Sequence, residues 1–295
     1  MSEELSLQDA ADILDVHYMT AYRYVRLGLL NATKVGGTWR VKRSDLDAFR
    51  EGSSKDQPNE GEPRKKTAPW SERLELRLLA GDARGAWGVV EAALAAGADL
   101  DDIYIEVVSP ALVSIGDKWA KGDLEIYLEH RASAIVGRIM GRLGPRFARR
   151  GRTRGAILVG APEGERHSLP VSMVADLIRQ SGWEVYDLGS DLPADSFAVA
   201  ARNTIDLAAV CISVTSEGSL SKAVDAITEV RNVVHPSVQI FVGGLAVKSA
   251  EQAETLGADG WAANAGDLVA VLNELPSRTP IDNTDEYFND TRSAG

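Results

Sequence analysis

Apolar positions along this chain recur with three different periods, and the changes of period divide it into segments. Leu7, Ala10, Ala11 and Leu14 have helical spacing behind Ser6, a residue suited to capping a helix. Asp15-Val16-His17 then reads as a tight turn, and Met19 to Leu27 as a second helix with Ala21, Tyr24 and Val25 inward. Lys34 to Val41 predicts a short hairpin turning at Gly36-Gly37, anchored by Trp39, after which Ser44 is placed to cap a last helix. Residues 51–68 lose all apolar period and are rich in Pro, Gly, Ser and charge, which predicts a flexible linker.

From Trp70 to Phe147 the helical period returns in four amphipathic segments, and the short turns between them predict a four-helix bundle over residues 69–148. The segments carry Leu74, Leu78 and Leu79; Trp87, Val90 and Leu94; Ile103 to Trp119; and Leu124 to Leu143. Residues 151–275 then alternate short apolar runs with amphipathic stretches. Strands are predicted at 155–160, 184–188, 207–213, 238–243 and 259–262, and helices at 171–181, 194–202, 220–234, 249–256 and 266–275. That alternation implies a doubly wound parallel sheet, flavodoxin-like, with helices on both faces. The fold class is therefore multidomain, α followed by α/β. The polar stretch 276–295 predicts a disordered tail.

Composition narrows the function classes. The values of 44% hydrophobic and 25% charged residues suit a globular protein. No run approaches the roughly 18 apolar residues of a membrane span, and the start lacks a basic-then-apolar secretory pattern, so a cytoplasmic location without membrane association is expected. The single cysteine, Cys211, lies in an apolar run and reads as a buried thiol, which leaves no disulfide framework or thiolate zinc site. A net charge of -11 argues against indiscriminate nucleic-acid binding. Residues 1–50, however, balance seven Lys/Arg with seven Asp/Glu, so the acidic excess lies beyond them and a local DNA interface is open to this segment.

Two groups of residues carry candidate chemistry. Thr20, Arg23 and Arg26 fall on the outer side of the second helix, which would enter the major groove of double-stranded promoter DNA, and Arg40 and Lys42 on the hairpin are placed to meet phosphate. Order and spacing in this stretch resemble the winged helix-turn-helix domain of the excisionase and MerR group. The second group lies at the carboxyl ends of the predicted strands, where ligands bind in open α/β sheets. Glu165-Arg166-His167 follows the first strand, Ser213 and Thr215 the third, and Gly243-Gly244 the fourth. A histidine with a carboxylate two residues before it is a way to present an imidazole to a metal. His17 and His235 read as ordinary turn residues.

This sheet edge resembles the cobalamin-binding domain of methionine synthase, corrinoid carrier proteins and mutases. That family's motif is Asp, any residue, His, two residues and Gly, with a later Ser-containing loop and a Gly-Gly pair. The resemblance implies His167 as lower axial ligand of cobalt, with the nucleotide tail running past Ser213 and Thr215 to Gly243 and Gly244. Glu165 stands where the family has Asp, and Pro170 where it has Gly.

Winged helix, bundle and cobalamin domain in this order are similar to the CarH and LitR group of MerR-type regulators, whose bundle signature is Trp, nine residues, then Glu-His. Trp119 with Glu129-His130 matches it. The likeness implies a transcriptional repressor, not an enzyme, that binds adenosylcobalamin with Trp119, Glu129 and His130 over its upper face. Cofactor-dependent assembly into a dimer or tetramer would be undone by green light. Ala120 stands where well-understood members have a His that takes the upper cobalt position after illumination. A light-independent cobalamin or tetrapyrrole sensor and a corrinoid methyl carrier are the alternatives.

Overall fold

The computed structural model describes residues 4–14, 21, 24–25, 30–35, 38–52, 69–149 and 151–278. The chain divides into two compact units, Met1–Lys66 and Thr67–Gly295.

In the first unit, β1 (Glu4–Ser6), α1 (Leu7–Leu14), β2 (Thr33–Val35), β3 (Thr38–Lys42) and α2 (Arg43–Gly52) enclose a small apolar core. Ser6 caps α1 as expected. Its hydroxyl accepts the Asp9 N–H at 3.1 Å while the Asp9 carboxylate accepts the Ser6 N–H at 3.0 Å, a reciprocal capping box. Ala21 and Val25 are helical and buried beside Leu7, Leu30, Val41 and Leu46, and the Tyr24 ring lies 4.9 Å from that of Phe49. β2 and β3 pair antiparallel with Val35 opposite Thr38. β1, absent from the sequence reading because three residues are too few to show an alternation, pairs with the other edge of β3. Two expectations need correction. α2 begins at Arg43, so Ser44 is its second residue rather than its cap, and α2 continues through Gly52 into the expected linker. Residues 53–68 lie outside the described residues.

The second unit opens with the bundle: α3 (Trp70–Leu79), α4 (Ala83–Ala95), a third helix, and α7 (Ile126–Leu143). Asp82 caps α4 by accepting the Gly85 N–H at 2.8 Å. The third helix has three parts: α5 (Leu100–Asp102), a π-wound stretch Ile103–Val108, and α6 (Ser109–Ala120). Pro110 supplies the physical reason. It has no N–H to give the carbonyl of residue 106 and its ring would crowd that carbonyl, so the turn before it widens. Tyr104, in the wide turn, is buried, stacks on Phe147 at 4.7 Å and donates its hydroxyl to Asp176 at 2.8 Å. Burial, then the Asp176 carboxylate, push the Tyr104 hydroxyl pKa upward, so it stays a neutral donor.

Asp176 belongs to the α/β part: β4 (Ala156–Gly160), α8 (Ser168–Gln180), β5 (Glu184–Asp187), α9 (Ala194–Asn203), β6 (Leu207–Ser213), α10 (Leu220–Arg231), β7 (Gln239–Gly243), α11 (Ala250–Thr255), β8 (Gly260–Ala262) and α12 (Ala265–Glu274). All five strands are parallel in the order β5-β4-β6-β7-β8. Because β4 and β6 are central, every residue of β4 is buried and β6 is buried up to Ser213, which explains their unbroken apolar runs. α8 and α12 cover one face with Val171, Ile178 and Leu272, and α9, α10 and α11 cover the other with Phe197, Ile227 and Ala253. The outer side of α8 reaches the bundle core through Met173 and Leu177, so bundle and sheet share α8 as a wall.

The residues just past α12 also depart from expectation. The Arg278 N–H donates to the Arg154 carbonyl at 2.6 Å and its guanidinium to Ser237, so 276–278 are tied to the sheet domain. Residues 279–295 lie outside the described residues. Among the described residues, no helix is long and apolar enough to cross a membrane.

Candidate functional site

Strand order reverses between β4 and β6, and at such a switch point the loops after neighbouring strands diverge and leave a crevice. The loop after β4 carries Glu165 to His167, and α8 starts at Ser168, three residues earlier than the apolar pattern suggested. His167 is thus the residue that opens the helix. Pro170 falls in the first turn, where an N–H would have no intrahelical acceptor, so the proline removes no hydrogen bond.

Glu165 is fully buried, and its carboxylate joins two loops. One oxygen meets His167 Nδ1 at 2.5 Å and accepts the His167 N–H at 3.2 Å. The other accepts the backbone N–H groups of Thr215 and Ser216, both at 2.7 Å. A third loop, after β5, closes on the same residue: Asp191 N–H donates to the Glu165 carbonyl at 2.8 Å, and the Asp191 carboxylate accepts the Gly164 N–H at 2.7 Å. The added methylene of Glu over Asp is what spans from the histidine to the β6 loop. Burial alone pushes the Glu165 carboxyl upward, but the hydrogen bonds from His167, Ser216 and Thr215 outweigh it and hold the pKa at about 2. The His167 pKa is raised, first by its hydrogen bond to Glu165, against burial, with a smaller contribution from the Glu129 carboxylate. Glu129 sits on α7, so the bundle and the His167 loop share one electrostatic neighbourhood.

Beside this triad lies a cavity of about 330 Å³. Ser213, Thr215, Gly243 and Gly244, all expected at the site, line it. So do Tyr104, Ile105, Leu112 and Val113 of the third bundle helix and Pro170, Met173, Val174 and Leu177 of α8, which sequence reasoning left as core. Apolar periodicity cannot separate a residue that faces a cavity from one that faces a packed core. The role expected of the two glycines is corrected in part. They were assigned to the close approach of a ring, but the structure gives a backbone reason. Gly244 has φ +103°, and a Cβ there would lie 2.4 Å from the Val214 carbonyl oxygen; one at Gly243 would lie 2.8 Å from that of Ala262. Gly244→Ala should therefore cost about 1–3 kcal/mol of stability in a denaturant melt of the ligand-free protein. A loss below a few tenths would show the loop to be free to move.

The bundle residues take a different position. Trp119, which in a plain bundle would be core, is 45% exposed and follows the exposed Lys118 on α6. Lys118 pairs with the largely buried Glu75 of α3. Ala120 is exposed, and Ile126 and Tyr127, at the start of α7, expose apolar surface as well. His130 is solvent-facing and lies 3.6 Å from Glu129, whose other oxygen accepts the Ser133 hydroxyl at 2.7 Å. None of these residues lines the cavity. Cys211 is buried on its wall, and burial pushes its thiol up to about 12. In the first unit, Arg40 and Lys42 are exposed on β3, on the side opposite the buried Val41. Thr20, Arg23 and Arg26 lie outside the described residues, as does His17.

The architecture and this crevice agree with what sequence comparison finds. Residues 4–54 match the helix-turn-helix domain family, and residues 70–143 and 155–270 match two families that are each described as a B12 binding domain. The chain thus joins a helix-turn-helix domain to a helical and an α/β B12-binding segment. A corrinoid protein of Desulfitobacterium hafniense is 26% identical over 189 residues, spanning 60% of this chain and 84% of its own length. Dimethylamine corrinoid protein 3 of Methanosarcina acetivorans is 33% identical over 122 residues, which is 41% of this chain and 56% of the relative. The structure of the Methanosarcina barkeri monomethylamine corrinoid protein superposes with a TM-score of 0.61 at 21% identity, over 70% of this chain and 97% of that one, a likeness of fold.

Proposed function

We propose that this chain is a transcriptional regulator, not an enzyme, that binds promoter DNA through residues 4–54 and senses adenosylcobalamin in the crevice between bundle and sheet. One observation carries the reading: a half-exposed imidazole whose Nδ1 is held by a buried carboxylate, beside an apolar cavity, in a chain that also has a helix-turn-helix domain.

The residues fit a corrinoid. With Nδ1 engaged by Glu165, the free nitrogen of neutral His167 is Nε2, and Glu165 fixes that tautomer. Among the described residues, no group of three or more His, Cys, Asp or Glu side chains could hold a metal ion. His167 therefore suits a cobalt that arrives with a macrocycle of its own. Ser213, Thr215, Gly243 and Gly244 would border the nucleotide tail, and the cavity volume suits a small aromatic group. Trp119, Glu129 and His130 would face the upper side, where Trp119 and its apolar neighbours have surface to bury. When bound, adenosylcobalamin supplies a cobalt–carbon bond that green light can break. What the chain supplies is a clamp: bundle and sheet meet along α8, so a group held between them sets their relative position and with it the surface offered to other copies. Association into a dimer or tetramer would multiply weak DNA contacts and repress a promoter. Because Ala120 offers no imidazole, His130 or water would take the upper position after illumination.

The relatives favour a second reading, a corrinoid carrier, because the named ones are corrinoid proteins. The helix-turn-helix match over residues 4–54 weighs against it.

Purification with adenosylcobalamin in darkness, followed by absorption spectroscopy and mass measurement before and after green light, separates these. The expected result is a co-eluting pigment and a larger mass in the dark. Bound pigment with a mass indifferent to light would reject the photoswitch, and no retained pigment would reject both readings.

A further inference from the structure

The cavity beside His167 is not uniform along its length. At one end, Val113 and Leu245 are exposed, and the hydroxyls of Ser213 and Thr215 stand near the Gly243-Gly244 loop. At the other, Val159, Leu177, Cys211, Phe241, Ala262 and Leu268 are all buried and come from four strands and two helices. Polar side chains that border the cavity are already committed. Asn264 accepts the Asp267 N–H at 3.0 Å and donates its amide to the Asp267 carboxylate at 2.8 Å, which caps α12. The Tyr104 hydroxyl is given to Asp176. β6, β7 and β8 are paired in register through Cys211–Phe241 and Phe241–Gly260, so their amides at this depth serve the sheet.

We propose that the buried end of this cavity reads the lower base of the corrinoid and selects a largely apolar aromatic base, of the dimethylbenzimidazole type, over a purine. The inference rests on the corrinoid reading above and adds the chemical class of tail that this chain accepts. A base that enters this end leaves water on both faces and at its far edge. Methyl groups there gain from burial against Phe241, Leu177 and Leu268. An adenine amine and ring nitrogen would instead give up hydrogen bonds to water with nothing to replace them, and that loss does more than the methyl contacts to separate the two ligands. The polar mouth, by contrast, suits the ribose and phosphate common to both tails and contributes little to the choice.

Leu268 is the residue through which the preference can be altered, because an amide on α12 would bring a donor and an acceptor to the buried end. The test uses the full-length protein, kept dark, and reads tryptophan fluorescence during titration with three corrinoids: cobalamin, its adenine-tailed analogue, and cobinamide, which has no nucleotide tail. Cobalamin should bind on the order of 10- to 100-fold more tightly than the adenine-tailed form. Leu268→Asn should narrow that ratio by about threefold or more while leaving cobinamide binding in place. Equal affinities, within about twofold, for the two tailed forms would overturn the inference while the corrinoid site stands. A Leu268→Asn protein that keeps the full ratio would overturn the role of this end of the cavity. If none of the three binds, the inference falls together with the corrinoid reading, and cobinamide, which tests the site without its tail cavity, tells the two failures apart.

Discussion

His167→Ala should abolish the absorption signature of imidazole-ligated corrinoid and weaken cobalamin binding by more than the roughly 10–100-fold that loss of a supporting partner costs. Its side chain is half exposed and the folding role of the loop is carried by Glu165, so the variant should fold with a melting temperature close to wild type. Spectroscopy and a thermal melt on the same sample separate loss of a ligand from loss of the fold. An unchanged spectrum in a folded variant would remove His167 from the cobalt.

Glu165→Gln should have the larger effect on the protein itself. The carboxylate accepts from Thr215, Ser216 and His167, and an amide turns one of its two oxygens into a donor that faces those donors. The sign of the pH dependence follows from both partners. Because the Glu165 pKa is depressed to about 2, its contribution is complete above the ordinary glutamate value and disappears as pH falls toward 2. That contribution is on the order of 3 kcal/mol. Because the His167 pKa is raised, its contribution is complete below the ordinary histidine value and fades as pH climbs through the raised one. The stability gap between wild type and Glu165→Gln should therefore peak between about pH 4.5 and 6.5 and shrink on either side. Urea melts of the ligand-free proteins across that range check it, and a gap that stays flat with pH would contradict the buried ion-paired carboxylate.

The fold was legible to the extent that periodicity reports burial. β4 and β6 are covered on both faces and declare themselves as unbroken apolar runs, and the bundle helices show their single buried stripe. β1 was not legible because three residues carry no period, and Ser44 misled because a serine one residue inside a helix looks the same in sequence as one at its cap. At the site, the residue types at the three strand ends were readable, and the structure brings Glu165 and His167 together with the backbone of Thr215. What could not be read is the manner of joining. The Thr215 and Ser216 amides act through main-chain N–H groups that any sequence would have, and Asp191 holds the Glu165 loop from 26 residues away. Trp119 shows the opposite case. Helical spacing assigns a tryptophan to the core, and only the fold shows it exposed beside Ala120 at the end of α6.

The central claim, that His167 is the lower ligand of a bound cobalt, has a direct test in electron paramagnetic resonance of the protein loaded with cobalamin and reduced to the cobalt(II) state. Prepared with ¹⁵N-histidine, the protein should show the nitrogen splitting on cobalt change from a triplet to a doublet, and His167→Ala should lose that doublet. A triplet that persists in the labelled protein would mean that the cofactor's own benzimidazole remains on the metal, and would contradict the assignment.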